Sequence, residues 1–187
     1  MGYEIAAAFA HAGHTVLLIS GPTALDVPDH VDFLPVETAA EMHEAVAHHL
    51  GRMDIAVFAA AVADYTPAAT AARKIKKSDG TLTLELVRTP DILGSVREPF
   101  GFTGTLVGFA AETENLEANA REKLTRKGCD LVIANDVSKP GIGFDSDNNE
   151  VILVYPEHTE ELPQASKHNL AHQFVHAIIN LHKEHLL

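Results

Sequence analysis

The chain has 187 residues and a formal charge of -12, enough length for one domain with a sizeable core. That acidity excludes wholesale binding to nucleic acid or to an anionic membrane, because both depend on basic surface. The single cysteine, Cys129, excludes an internal disulfide and fits a reducing cytoplasm, and no apolar run reaches the length of a membrane helix.

In chain order, Gly2 to Ala12 reads as an Ala-rich helix ended by Gly13, and Thr15 to Ser20 as a continuous apolar strand of the kind buried on both faces. Val31 to Val36 is a second strand. Thr38 to Leu50 is a helix, with Thr38 as N-cap and Glu41 completing a capping box. Asp54 to Ala60 is the third strand, followed by a long connection over 61–80. Leu82 to Val87 alternates as a half-exposed strand should, and Pro90 opens a short helix. Thr105 to Ala111 is a strand, Asn115 to Lys127 a helix stopped by Gly128, and Asp130 to Ala134 another strand. A polar loop over Ser138 to Asn149 leads to Val151 to Val154, expected at a sheet edge, and Lys167 to His185 closes the chain as a helix. The alternation predicts a single α/β domain, a Rossmann-like, doubly wound and mostly parallel sheet in three layers, with ligands beyond the carboxyl ends of the strands.

Those strand ends carry the chemistry. Ala59, Ala60, Ala61, Val62 and Ala63 let backbone approach a ligand closely, and Asp64 offers a carboxylate to a sugar hydroxyl or a metal, or else caps the turn ahead of Pro67. Of fourteen Lys and Arg, four lie at Arg73, Lys74, Lys76 and Lys77, and four more at Arg121, Lys123, Arg126 and Lys127. On so acidic a chain the first cluster suggests phosphate binding, against the bland alternative of a solvated basic loop. Lys74 is nearest the Asp64 turn. Lys76 shares its side if the segment is extended, whereas Lys77 faces away.

On the helix over 115–127, Glu117 to Arg121 and Glu122 to Arg126 are i,i+4 pairs, but Lys123 and Lys127 face each other without such partners. That repulsion costs an isolated helix about 0.2–0.5 kcal/mol unless an anion lies between them, part of it offset by the helix dipole at Lys127. Phe109 could stack on a base or fill the core, and the run at 130–134 points at Asn135 and Asp136.

Other motifs fall away. Asp145, Asp147 and Asn149 resemble part of a calcium loop, but Glu150 stands where its glycine is needed. His168, His172 and His176 read as a solvated face able to hold a soft metal adventitiously. A nicotinamide cofactor is disfavoured, because no Gly-x-Gly-x-x-Gly is present and Ser20-Gly21-Pro22 stands where a ribose-binding acid belongs.

Taken together, Ser20 to Thr23, Val36 to Ala39, Ala59 to Tyr65, Lys74 to Lys77, Thr89 to Ile92, Gly108 to Thr113, Lys123 to Gly128 and Ala134 to Ser138 resemble, in order, bacterial phosphopantothenate-cysteine ligase. The resemblance implies a cytoplasmic, dimeric enzyme of coenzyme A biosynthesis, often fused behind a flavin-dependent decarboxylase. It implies joining of 4'-phosphopantothenate to L-cysteine with CTP and Mg²⁺, through an acyl cytidylate. It places Asp64, Lys74, Lys123 and Lys127 on the nucleotide, with Lys74 catalytic, and has Ala60, Ala61, Pro90, Asp91, Ile92 and Phe109 line the same site, with Lys76, Asn135 and Asp136 nearby.

Two departures stand out. Thr89 replaces a common Asn, which should leave a backbone contact intact. The family's first strand and Gly-rich, Asn-containing loop have no counterpart ahead of Met1, so weak CTP binding and impaired turnover are expected. A noncatalytic binding or assembly subunit is the competing expectation, and a nicotinamide-dependent oxidoreductase the third.

Overall fold

The computed structural model describes residues 1–71, 73–76, 80–138, 146 and 148–186. Helix α1 (Gly2–His11) is followed by β1 (Leu17–Ser20), β2 (Asp32–Pro35) and α2 (Ala39–His49). The capping box is present as expected. Thr38 Oγ1 accepts from the Glu41 N–H at 3.1 Å, and the Glu41 carboxylate accepts from the Thr38 N–H at 3.2 Å. A 3-10 turn at Leu50–Arg52 leads to β3 (Ile55–Phe58), then β4 (Tyr65–Pro67) and β5 (Leu86–Arg88). After a second 3-10 turn at Leu93–Ser95 come β6 (Thr105–Glu112), α3 (Leu116–Lys127), β7 (Leu131–Asp136), β8 (Asn148–Val154), β9 (Thr159–Ser166) and α4 (Lys167–His185). Gly128 ends α3 in the left-handed conformation at φ 62°, where a side chain would be strained.

The principal sheet has the order β3-β6-β7-β8-β9, with β3, β6 and β7 parallel and β8 and β9 antiparallel additions. A parallel pair β1-β2 and an antiparallel pair β4-β5 stand apart from it. One core lies under α1 and α4, built on Ile5, Phe9, Val107, Leu131, Leu170, Phe174 and Ile178. The other lies under α2, α3 and the second 3-10 turn, built on Val46, Leu106, Ala120, Leu124, Val132 and Val96. Helices on both faces of a mostly parallel sheet make the three-layer α/β arrangement that the βα rhythm predicts.

Four expectations change. Val151 to Val154 is not an edge: β8 runs between β7 and β9, and β9 was not foreseen. Its sequence, Thr159 to Ser166, is polar and contains Pro163, which is tolerated because the strand lies at the edge and the register shifts opposite Asn149 and Val151. Asn148 and Asn149, expected in the polar loop, already belong to β8. Leu82 to Val87 pairs only from Leu86, which lies opposite Pro67, since its alternating leucines have no core to face and remain exposed. Asn135 and Asp136 are the last residues of β7 rather than a loop beyond it.

Candidate functional site

Parallel strands β3, β6 and β7 bring three carboxyl ends side by side, at Phe58, Glu112 and Asp136. From the first, Ala59 to Asp64 leaves the sheet, and Ala60, Ala61 and Asp64 are exposed. Thr89 then ties this excursion down. Its hydroxyl donates to the Ala63 carbonyl at 2.5 Å and its N–H to the Asp64 carbonyl at 3.0 Å. The backbone contact expected at position 89 is thus made with Thr in place.

Two residues further on, Asp91 caps the second 3-10 turn, its Oδ1 accepting from the Gly94 N–H at 2.9 Å, while its other oxygen pairs with Lys127 Nζ on α3. One turn earlier on α3, Lys123 Nζ donates to the Phe109 carbonyl. The helix lysines without helical partners therefore have partners elsewhere: an exposed carboxylate and a strand carbonyl. Arg121 does pair with Glu117 at 3.0 Å, but Glu122 and Arg126 form no ion pair among the described residues. The result is a continuous path from the Asp64 turn through Thr89 and Asp91 to Lys127 and Lys123.

Burial lowers the Lys123 ammonium below its usual pKa, an effect that the nearby Cys129 and Glu112 partly oppose. Burial alone would raise the Asp91 carboxyl, but the Lys127 hydrogen bond, the Gly94 N–H and the charges of Lys127 and Arg126 outweigh it and leave it low. The Cys129 thiol is pushed up to about 11 by burial, so it is an inert core group and not a nucleophile.

Other predicted residues are placed differently. Ile92 is buried in the α3-side core, leaving only its backbone to a ligand, whereas Pro90 is exposed. The Phe109 ring packs edge-on against Phe174 with centroids 6.1 Å apart, on the sheet face opposite α3. Lys74 and Lys76 are exposed and make no hydrogen bond or ion pair among the described residues, and Lys77 lies outside them, as do Asp145 and Asp147. Asn135 is buried, and Asp136 accepts from the Ser138 N–H at 2.9 Å and hydroxyl at 2.6 Å. His168 meets Glu4 at 3.2 Å and stacks edge-on with His172.

Two partners were missed in sequence. Asn119 donates to Glu112 at 2.9 Å, closing the end of β6, a link hidden because the residues belong to different elements. Arg97 binds the carbonyls of Gly128, Phe102 and Gly104 and the Asp130 carboxylate, pinning the turn from α3 into β7 beneath the lysines. Among the described residues no three His, Cys, Asp or Glu are grouped to hold a metal ion.

Residues 1–181 match the family model described as DNA/pantothenate metabolism flavoprotein, C-terminal domain. The coenzyme A biosynthesis bifunctional protein CoaBC of Bacillus subtilis is 45% identical over 186 residues, covering 98% of this chain and 46% of that protein. CoaBC of Escherichia coli K12 is 42% identical over 187 residues, again covering 98% of this chain and 46% of its own length. The chain thus spans less than half the length of these relatives. The crystal structure of a CoaBC C-terminal domain superposes with a TM-score of 0.81 at 34% identity, covering 97% of this chain and 82% of that one. A Cab2 mutant complexed with phosphopantothenate-cysteine shares the fold, with a TM-score of 0.80 at 19% identity, covering 98% of this chain and 77% of that chain.

Proposed function

Because the chain belongs to the DNA/pantothenate metabolism flavoprotein C-terminal domain family, we propose that it serves coenzyme A biosynthesis as a phosphopantothenate-cysteine ligase domain. The observation that carries this reading is the path from Asp64 through Thr89 and Asp91 to Lys127 and Lys123, which joins a strand-end turn to two cations on a neighbouring helix. A nucleoside triphosphate suits such a site: Asp64 takes a ribose hydroxyl, Ala60 and Ala61 allow close backbone approach, and Lys123 and Lys127 meet phosphate oxygens.

For Lys127 this means exchanging Asp91 for phosphate. For Lys123 it means giving up the Phe109 carbonyl, so both cations are held in place before the ligand arrives. Lys74 and Lys76, exposed between β4 and β5, supply further positive charge to the leaving pyrophosphate, and Lys74 is assigned the catalytic part. Asn135 and Asp136 at the end of β7 lie at the margin of the same strand ends.

In the proposed reaction the 4'-phosphopantothenate carboxylate attacks the α-phosphorus of CTP, and pyrophosphate leaves. The L-cysteine amine then attacks the acyl carbon, losing a proton, and CMP leaves. The nucleotide's base as cytosine rests on the family resemblance. Mg²⁺ fits as a companion of the triphosphate, since such ions commonly bind through one or two carboxylates and substrate phosphates.

A homodimer belongs to the proposal. Tyr65, Leu82, Leu84, Leu86 and Val87 expose 44–65% of their surface on and beside the β4-β5 pair, an apolar stripe a second copy would cover. A flavin-dependent decarboxylase, as a fused domain or a separate protein, is the further partner implied.

Pyrophosphate release tests the reading. It should require CTP and 4'-phosphopantothenate together, exceed the rate with ATP, and be lost in Lys74→Gln and Lys127→Gln. Release without phosphopantothenate, or undiminished release in both variants, would overturn it.

A further inference from the structure

Val154 at the end of β8 lies opposite Val132, near the start of β7, and opposite Thr159 at the start of β9. The turn that joins β8 to β9, Tyr155 to His158, therefore sits at the amino ends of the parallel strands, whereas Glu112 and the Asp64 turn lie at the carboxyl ends. Between this turn, β9 and α4 is an open cleft of about 760 Å³, within the roughly 300–1,000 Å³ of small-molecule sites. It belongs to the sheet face under α4, opposite the face that carries α3 and its lysines.

Its lining follows from the residue pattern. Ala177, Leu181 and Glu184 recur at helical spacing and share one stripe of α4, and Leu153 and Leu162 continue the apolar floor on β8 and β9. Glu157 in the turn, Glu160 on β9 and Glu184 on α4 stand exposed around that floor, and none has an ion pair among the described residues. No Lys or Arg is among the described lining residues. Tyr155 is 9% exposed, its ring stacked on His158 with centroids 4.4 Å apart. The Tyr155 hydroxyl has no hydrogen-bond partner among the described residues, and none of their side-chain polar atoms is both sealed and unpartnered, so this hydroxyl opens into the cleft. Burial raises it above its usual pKa, and Glu160 and Glu184 raise it further, so both carboxylates bear on it. The wall is fixed from behind: Arg121 donates to the Tyr155 and Pro156 carbonyls at 3.3 and 3.2 Å and to Thr159 Oγ1 at 3.0 Å.

We propose that this cleft binds a linear aliphatic polyamine cation, its ammonium groups on Glu157, Glu160, Glu184 and the Tyr155 hydroxyl, its methylene runs over Leu153, Leu162, Ala177 and Leu181. The carboxylates stand on three elements around an apolar floor, so a chain that alternates charge with methylene satisfies both. A compact divalent cation does not match, since no three His, Cys, Asp or Glu among the described residues are grouped to hold one. Anionic ligands meet only uncompensated carboxylates. An incoming strand of a basic partner protein is disfavoured, because Pro163 interrupts the outer edge of β9. The inference does not depend on the nucleotide or the reaction.

Calorimetric titration of the full chain with spermidine, at about 0.15 M salt to screen scattered surface charge, tests this. One spermidine should bind per chain with a Kd below about 1 mM. Glu160→Gln and Glu184→Gln should each weaken it about 3- to 5-fold, and the two together at least about 10-fold. Tyr155→Phe should weaken it about 3-fold with the melting temperature unchanged, because the hydroxyl it removes has no partner within the fold. Glu44→Gln makes the same charge change at an exposed position of α2 and should leave binding as it was. Several equivalent weak sites, or equal losses in Glu44→Gln and Glu160→Gln, would reduce the effect to the chain's overall acidity and overturn the proposal. Tighter binding of a blocked trilysine peptide than of spermidine would overturn it in favour of a basic protein partner.

Discussion

Lys127 and Asp91, on α3 and at the head of the second 3-10 turn, form an ion pair whose two members differ in burial: the lysine side chain is 13% exposed and the carboxylate 59%. Cutting the pair from its two sides should therefore cost different amounts. Asp91→Asn keeps an acceptor for the Gly94 N–H but leaves a mostly buried ammonium without its counter-charge, and should destabilise the fold by about 1–3 kcal/mol. Lys127→Met leaves only an exposed carboxylate and should cost less than about 1 kcal/mol. Urea denaturation of the two variants measures the difference, and equal costs would contradict the asymmetry.

The same pair sets a pH dependence. The Asp91 carboxyl is lower in the folded chain than in the unfolded one, so over the interval between the two values the unfolded state binds more protons. Its stabilisation is complete above the unfolded value of about 4 and is lost as pH falls through the folded value. The gap in melting temperature between the parent and Asp91→Asn should be constant from about pH 6 to pH 5 and should shrink below about pH 4. A gap that widens on acidification would mean that the carboxyl is protonated in the folded state.

Much of this was legible in the sequence where local chemistry decides the outcome. The Thr38 and Glu41 box, the Gly128 stop and the continuous apolar runs at β6 and β7 each specify their element without distant help. Strand β9 was not legible, because only Leu162 among its eight residues is buried and its pairing is dictated by β8. The leucines at 82, 84 and 86 misled for the opposite reason: alternation states which side chains want a common face, not whether a face is there. At the site, spacing set Lys123 and Lys127 apart from the Glu117–Arg121 pair of α3, although the second expected pair, Glu122 with Arg126, is not formed among the described residues. It could not reveal that Asp91 and the Phe109 carbonyl hold them, since those contacts cross from one element to another.

Arg97 should prove the least replaceable surface-proximal residue. Its guanidinium donates to the Gly128 carbonyl at 2.9 Å, to the Phe102 and Gly104 carbonyls at 2.8 and 2.9 Å, and to Asp130 at 2.7 Å, while Asp130 also accepts from the Leu106 N–H at 2.7 Å. An ammonium cannot reproduce that planar fork, so Arg97→Lys should cost about 2–4 kcal/mol in denaturant unfolding. Gly104→Ala should also be severe, since its Cβ would fall 2.2 Å from the Asp54 carbonyl oxygen, and that backbone must shift. A loss below about 0.5 kcal/mol in either variant would show that the turn is held by other contacts.

Lys123 separates stability from binding. Burial disfavours its charge, so its ammonium contributes a cost at neutral pH that is relieved as the medium is made alkaline through its lowered folded pKa. Lys123→Met removes the charge, fills similar volume with an unbranched apolar chain and gives up one hydrogen bond, to the Phe109 carbonyl. Stability should change by less than about 1 kcal/mol in either direction. Nucleotide affinity, read by calorimetric titration with CTP, should nevertheless fall at least about 10-fold, the loss of roughly one charge-assisted hydrogen bond. Lys123→Met with parental CTP affinity would remove this residue from the site, whereas equal losses of stability and affinity would make it a packing residue whose effect on the ligand is indirect.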